Sequence, residues 1–188
     1  MDLSDFDIKP GYFMHASNLH GAMHTYRVMC HTLALGNDVG LQEEKRVAFF
    51  AAFIHDMARK HDGFCLMHGP RAAKLKVPEF TPLFQKYRLD EEQISTLKTA
   101  VANHSQYVEI KKWHPHYTVT ALLKDADALD RIRIGEHNLN RKFLRFEPTF
   151  GMIADAERLF YESEKLPIQT FQQMLNLAEE VLQKKLQY

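Results

Sequence analysis

The chain has 188 residues, a length typical of one domain, and its 45% apolar and 26% charged residues argue against disorder. Basic and acidic residues number 24 each, so a nucleic acid or anionic membrane held by bulk charge is not expected as a partner. Two cysteines, Cys30 and Cys65, do not make the disulfide framework of a small secreted protein. The first residues are acidic and no apolar run approaches the ~20 residues that span a bilayer, so we expect a soluble cytoplasmic protein.

Helical periodicity and capping signals recur along the chain, whereas the alternation typical of strands does not persist. In chain order, helices are expected over residues 17–36, 43–60, 70–76, from 81, 90–104, 119–139, after 148–151 and after 167. Pro78 is expected to end the third, and Asp90 with Gln93 to form a capping box at the start of the fifth. The last helix carries an apolar stripe of Phe171, Met174, Leu175, Ala178 and Leu182. These patterns predict an all-α fold with at least six helices.

The chain has 11 histidines, and several of them share one face of the first predicted helix. His20, His24, Arg27 and His31 follow one another at intervals of four, three and four residues. This stripe is more polar than an ordinary core stripe, yet it lies beside apolar residues that should face inward. Two interpretations remain open, an interior site and a set of surface histidines.

A second signal is the pair His55-Asp56, which follows the most apolar segment of the chain, FFAAFI. Such a pair is expected to be buried, and an unpaired buried carboxylate costs several kcal/mol. A cation must therefore compensate Asp56. It is either a metal ion or the nearby Arg59 in a structural ion pair.

A third signal is the acidic run DADALD, which begins at Asp125 and is flanked by basic residues. Asp127 shares a predicted helix face with Lys124, Asp130 and Arg131. Such a group suits either a surface network of salt bridges or an anion site beside a metal.

In this order, the three signals resemble the HD superfamily of metal-dependent phosphohydrolases. The matching segments are HTYRV around His24, FIHDMAR around His55-Asp56, HGPRAA shortly after it, and LLKDADALDRI around Asp127. The resemblance covers about residues 18–135 and implies a single-domain helical bundle of the HD type. Residues 136–188 carry no motif of the family and are expected to form a helical extension of the same domain.

The resemblance implies four metal ligands: His24, His55, Asp56 and Asp127. Asp127 is preferred to Asp125 and Asp130 because the family's last ligand is the aspartate that follows alanine. His68 and His104 occupy positions where members with two metals carry further histidines, so they would hold a second ion or bind phosphate. Nitrogen and oxygen ligands without a thiolate suit Mn, Fe, Co, Ni, Zn or Mg, and the sequence does not choose among them or between one ion and two.

The activity implied is hydrolysis of a small phosphorylated metabolite or nucleotide by a metal-activated water. The residues expected to line the pocket or bind the substrate are His20, Arg59, Arg71, Lys124 and Arg131. Met57–Lys60 replaces the glutamate-aspartate pair of the family's guanosine-tetraphosphate hydrolases, and the GYP tripeptide of its cyclic-di-GMP hydrolases is missing. Two alternatives remain open, a diiron oxygenase of the extended HD type and a non-catalytic regulatory domain that binds metal. The sequence does not indicate an oligomeric state.

Overall fold

The computed structural model describes residues 1–135 and 138–187, and its regular secondary structure is helical. Its helices are α1 (Ala22–Asp38), α2 (Gln42–Ile54), α3 (His68–Lys86), α4 (Glu91–Asn103), α5 (Tyr117–Leu129), α6 (Glu147–Gly151), α7 (Ile153–Ser163) and α8 (Phe171–Leu182). Short 3-10 segments lie at Leu3–Phe6, Asp130–Ile134 and Arg141–Phe143. No strand occurs in these two ranges, so the predicted all-α, single-domain fold is confirmed.

Helix α2 is the central helix of the bundle. Every residue from 47 to 54 is buried, and the helix packs against α1, α3, α4 and α5. A helix that is apolar all round is expected to be surrounded in this way. The helix ends at Ile54, earlier than predicted, and the backbone continues in tight turns. His55 and Asp56 therefore lie at the point where α2 ends in the middle of the protein.

Helix α1 begins at Ala22, later than the predicted start at Ser17 or Asn18. The hydroxyl oxygen of Ser17 accepts hydrogen bonds from the backbone N–H groups of Leu19 and His20, which forms a local turn instead of a first helical turn. His20 therefore precedes α1 and does not extend its histidine stripe. The other members of that stripe lie on α1 as predicted.

Helix α3 runs unbroken through Pro78 and Pro82, so the prediction of two short helices separated at Pro78 was wrong. Each proline removes one backbone donor from the helix, and the hydroxyl of Thr81 donates to the carbonyl oxygen of Val77 between them. Packing against α4 holds the helix together despite these losses. The residues of α3 that are buried beyond its first turn are Ala72, Ala73, Lys76, Val77, Phe80 and Phe84.

The capping box of α4 is confirmed, since Asp90 accepts from the backbone of Gln93 and the Gln93 side chain accepts from the backbone of Asp90. Helix α5 ends at Leu129, before the predicted end at residue 139. The chain continues into the 3-10 segment, which ends at Gly135, whose φ of 140° is rarely adopted by other residues. Basic side chains of this segment are thereby placed close to α5.

The C-terminal helices share the core of the bundle. Helix α8 begins at a capping box formed by Thr170 and Gln173, and its predicted apolar stripe is buried. Helices α7 and α8 both pack against α1. The predicted boundary of the extension, at residue 136, lies outside the described residues. Within the described part of the chain no helix is long and apolar enough to cross a bilayer.

Candidate metal centre

Four buried histidines from different elements meet beside the end of α2. His24 lies on α1, His55 follows α2, His68 begins α3 and His104 follows α4. The start of α3 lies very close to α4. A Cβ atom added to Gly69 would lie only 2.7 Å from the carbonyl oxygen of Val101. This approach, which only glycine allows, brings His68 against His104.

An acceptor at Nδ1 orients each of the four rings. These acceptors lie 2.6 to 2.7 Å away and are the carbonyl oxygens of Ala52 for His55, Cys65 for His68 and Val101 for His104, and a carboxylate oxygen of Asp130 for His24. Because such oxygens only accept hydrogen bonds, each ring carries a proton on Nδ1. The Nε2 atom of each ring is then the one available to a metal ion.

The Nε2 atoms of the four rings face one another in two pairs. Those of His24 and His55 are 3.1 Å apart, and those of His68 and His104 are 2.9 Å apart. Two facing lone pairs repel unless a proton or a cation lies between them. Two imidazole nitrogens bound to one ion at about 2.1 Å lie about 3.0 to 3.4 Å apart, so the spacing of the His24–His55 pair fits metal binding and that of the His68–His104 pair is slightly shorter than this range.

The carboxylate of Asp56, only 3% exposed, lies between the two pairs. Its Oδ2 atom is 3.5 Å from Nε2 of His24 and 3.8 Å from Nε2 of His55. Its Oδ1 atom is 3.1 Å from Nε2 of His68 and 3.6 Å from Nε2 of His104. Each pair of histidines therefore faces a different oxygen of one carboxylate.

Asp127 supplies a second carboxylate, with Oδ1 at 3.4 Å from Nε2 of His24. Its side chain is 24% exposed, which makes it the most accessible of the four predicted ligands. Three overlapping sets of ligand atoms lie close enough to hold an ion: His20, His24 and Asp56; His24, His55 and Asp127; and His55, Asp56 and His104. The structure thus brings together all four predicted ligands in a buried group that could hold a metal ion.

The electrostatics of the site favour ionised carboxylates. Burial would raise the pKa of Asp56, but the imidazoles of His55, His104 and His20 hold it well below 3.8. The pKa of Asp127 is likewise held well below 3.8, because the hydrogen bond with His24 and the charge of Arg133 outweigh the effect of burial. The ionised oxygens are the form that binds a cation.

His24 and His55, although adjacent, have opposite proton affinities. Burial lowers the pKa of His24, and Arg133 lowers it further, but hydrogen bonds with Asp127, Asp130 and Asp56 raise it to about 9. Burial lowers the pKa of His55 to about 3. Without a metal ion, His24 is therefore the protonated ring of this pair at neutral pH and His55 the neutral one.

Asp130 serves as a support for His24 and not as a ligand. Its Oδ2 accepts from Nδ1 of His24 at 2.7 Å, and its Oδ1 accepts from Nε of the buried Arg27 at 2.6 Å. Arg27 also donates to Ser163 and Glu164 beyond the site. The pair of Asp130 and Arg27 was not predicted, because its only signal in the sequence is an acid three residues after Asp127.

Asp125 faces away from the site. Its buried carboxylate accepts hydrogen bonds from the backbone N–H groups of Arg145 and Phe146 and from the hydroxyl of Thr149. It also forms an ion pair with the Arg145 guanidinium at 2.8 Å. Asp125 therefore anchors the C-terminal segment to α5, and of the three acids in DADALD only Asp127 is open to the site.

Of the predicted substrate-binding residues, His20 and Arg59 lie against the predicted ligands. Nδ1 of His20 is 2.9 Å from Oδ2 of Asp56. Nη1 of Arg59 is 3.5 Å from Oδ1 of Asp56 and 3.2 Å from Nε2 of His68. The ion pair between Arg59 and Asp56 that the sequence suggested is present at this distance. The guanidinium adjoins the second pair of histidines, where it would compete with an ion.

The other three predicted substrate-binding residues are placed differently. Arg71 donates to the carbonyl oxygen of Ala58 and does not line the cavity described below. Lys124 lines that cavity but forms an ion pair with Glu109 at 2.7 Å. Arg131 also lines it, with Nε donating to the carbonyl oxygen of residue 138.

A cavity of about 500 Å³ opens onto the candidate metal centre. Its lining includes Asp56, His68, His104 and Asp127. Cationic side chains also line it: Arg59, Lys124, Arg131, Arg133 and Arg145. At its rim, the exposed rings of residues 64 and 107 stack with centroids 5.9 Å apart. The cavity thus joins a group of possible metal ligands to a cationic wall.

No family model, curated protein or solved structure matches the chain. A function is therefore inferred from the sequence motifs and from the geometry of the candidate metal centre and its cavity.

Proposed function

We propose that the protein is a metal-dependent phosphohydrolase that acts on a small phosphorylated metabolite or nucleotide in the cytoplasm. The observation that carries the proposal is the convergence of four Nε2 atoms on the Asp56 carboxylate beside a cavity with a cationic wall. The order of the sequence motifs, which resembles that of the HD superfamily, also supports a metal-dependent phosphohydrolase.

In this proposal His24, His55, Asp56 and Asp127 hold one divalent ion. His68 and His104 would hold a second ion with the other oxygen of Asp56, if Arg59 moves aside. When bound, such an ion acidifies a water and polarises a phosphoryl oxygen, which is the chemistry that phosphate ester hydrolysis requires. Neutral imidazoles and ionised carboxylates are the forms that bind it, and the pKa values of His55, Asp56 and Asp127 favour those forms.

The chain's own residues would bind and orient the substrate. The cations of the wall would bind a phosphoryl group, because charge-assisted hydrogen bonds to arginine are stronger than neutral ones. A volume of about 500 Å³ suits a small metabolite better than a polymer. The stacked rings of Phe64 and Tyr107 at the rim offer a flat surface for a nucleobase.

A diiron oxygenase is the second candidate, favoured by the second histidine pair. His68 and His104, together with Asp56, give this centre more nitrogen ligands than one ion needs for hydrolysis. Imidazole and carboxylate ligands suit iron as well as the other divalent metals. Iron content and oxygen consumption separate the two candidates.

The test combines metal analysis of the purified chain with a screen of phosphorylated metabolites and nucleotides, each with added Mn, Fe, Co, Ni, Zn or Mg. We expect metal-dependent release of inorganic phosphate that is abolished by His55→Ala and retained by His61→Ala, which changes an exposed histidine. Oxygen consumption by the iron-loaded protein without phosphate release would favour the oxygenase. Tight metal binding with neither activity would point to a regulatory domain.

A further inference from the structure

Arg133, on the 3-10 segment after α5, is a buried cation that the sequence did not assign to the site. Its side chain is 5% exposed and it lines the cavity. Nε donates to the carbonyl oxygen of Leu19 at 3.0 Å, and Nη1 donates to the carbonyl oxygen of Asp130 at 2.9 Å. These bonds fix the plane of the guanidinium, but neutral carbonyl groups leave its charge uncompensated.

The carboxylates nearest to Arg133 already have other partners. Nη2 is 3.7 Å from Oδ1 of Asp127, and Nη1 is 3.8 Å from Oδ2 of Asp130, both beyond hydrogen-bond length. Asp130 is paired with Arg27 and His24, and Asp127 faces His24. The charge of Arg133 is therefore only partly balanced by its neighbours.

The Nη2 group of Arg133 also conflicts with His20. It lies 3.3 Å from Nδ1 of His20, and the same Nδ1 lies 2.9 Å from Oδ2 of Asp56. A ring nitrogen that donates its proton to Asp56 cannot also accept one from Arg133. The shorter contact, to an ionised carboxylate, is the stronger, so Nη2 is left as a donor without a hydrogen-bond acceptor among the described residues.

Two other cations of the cavity wall are compensated by carboxylates. Lys124 and Arg145 both pair with the carboxylate of Glu109, and Arg145 also pairs with Asp125. Arg59 resembles Arg133 instead, because its buried Nε has no hydrogen-bond partner in the described chain. Arg59 adjoins Oδ1 of Asp56, whereas Arg133 adjoins His20, which faces Oδ2 of Asp56.

We propose that Arg133, together with Arg59, forms an anion site beside the metal centre that binds a tetrahedral oxyanion. The Nη2 edge of Arg133 would donate to an oxygen of that anion, because a planar guanidinium presents two donors in a fixed geometry. Its identification with the phosphoryl group of a substrate, or with the phosphate product, rests on the proposed function. The anion site itself can be tested with inorganic phosphate alone.

The test measures phosphate binding to the full chain by calorimetry, before and after metal loading. We expect Arg133→Gln to weaken phosphate binding at least about tenfold while metal content stays unchanged. Arg158→Gln is the matched control, because Arg158 is an exposed arginine on α7 that pairs with Asp155. Unchanged phosphate affinity in folded Arg133→Gln protein overturns the proposal.

A second measurement uses the wild-type chain and so does not depend on the folding of a variant. Phenylglyoxal modifies arginine, and mass mapping would show whether phosphate protects individual residues. We expect phosphate to protect Arg133 and to leave Arg158 unprotected. Equal modification of Arg133 with and without phosphate overturns the proposal.

The outcomes also separate the anion site from the proposed function. Phosphate binding that depends on Arg133, with no phosphate released from any compound in the screen, keeps the anion site and refutes hydrolysis. The opposite outcome is phosphate release by Arg133→Gln with the same KM and the same inhibition by phosphate as the wild-type chain. It would support the hydrolase and refute the anion site.

Discussion

His24 and His55 hold their Nε2 atoms 3.1 Å apart while the Nδ1 atom of each is bound to a separate acceptor. The two rings come from different helices, and the acceptors fix both orientations. Neither ring can turn away without losing a buried hydrogen bond. The fold therefore maintains a close contact between two imidazole nitrogens that only a shared proton or cation makes favourable.

Removal of bound metal should lower the stability of the fold. A metal ion that binds the folded chain and not the unfolded chain raises the free energy of unfolding by about 2.7 kcal/mol when the free metal concentration is a hundred times the Kd. We expect the melting temperature to rise on metal addition and to fall again with a chelator, as measured by calorimetry. Identical melting curves with and without metal would argue against the metal assignment.

Substitution of His55 or Asp56 by alanine should abolish metal binding while the fold persists in weakened form. Each change removes a central ligand, and Asp56→Ala removes the carboxylate that faces both histidine pairs. Metal content and far-UV circular dichroism check both parts of the prediction. His61→Ala, at an exposed position, is the control and should retain full metal content.

Asp127→Asn and Asp130→Asn should have different effects. Asp130→Asn breaks the buried ion pair with Arg27, whose remaining charged partner is the half-exposed Glu164, so we expect a loss of about 3–5 kcal/mol in the free energy of unfolding. Asp130→Asn should also lower metal affinity indirectly, by about 10- to 100-fold, because Asp130 orients His24.

Asp127→Asn should instead reduce metal affinity with little change in stability, because Asp127 is partly exposed. Urea unfolding and metal titration of the two variants measure both quantities. A larger loss of stability in Asp127→Asn than in Asp130→Asn would reverse the roles assigned to these two acids.

The number of ions is a separate prediction, made at saturating metal. If Asp56 bridges two ions, titration should give two per chain, falling to one in His68→Ala or His104→Ala. The contact between Arg59 and His68 makes the second ion the weaker one. One ion per chain, unchanged by either substitution, would leave His68 and His104 as residues that line the pocket.

His31 should make the fold sensitive to acid. It is fully buried on α1, and neither ring nitrogen has a hydrogen-bond partner in the described part of the chain. Burial lowers its pKa from 6.5 to about 4. Between these pH values the unfolded chain binds a proton that the folded chain does not, so stability falls as the pH is lowered, by about 3 kcal/mol in all.

His31→Leu should remove this part of the acid sensitivity. Urea unfolding of metal-free protein at several pH values between 7 and 4 measures it, with His61→Leu as the control at an exposed position. The free energy of unfolding of His31→Leu should change less with pH than that of wild type or of the control. The same dependence in all three proteins would assign the acid sensitivity to other groups.

The sequence was most informative where structure depends on neighbours along the chain. The burial of α2, the capping box at Asp90 and the apolar stripe of α8 were predicted, because each follows from local pattern or local hydrogen bonds. The continuity of α3 through Pro78 was missed because packing against α4 outweighs the loss of backbone donors.

Long-range contacts explain what the sequence did not reveal about the site. Arg133 enters the cavity because α5 gives way to a 3-10 segment, and its anchor at Leu19 lies far away in the chain. The role of Asp125 depends on partners in residues 145–149, and that of Asp130 depends on His24 and Arg27 of α1, which no local motif identifies. Only the predicted metal ligands follow a recognisable order in the sequence.

The anchoring of the C-terminal segment by Asp125 connects the far side of α5 to the metal centre. Residues two apart on a helix point in nearly opposite directions, so Asp125 faces Thr149 while Asp127 faces His24. If the segment after residue 143 were cut or displaced, the Asp125 carboxylate would lose its donors and remain as a bare buried charge. Helix α5 could relieve that charge only by rotating or fraying, and either movement would carry Asp127 away from His24.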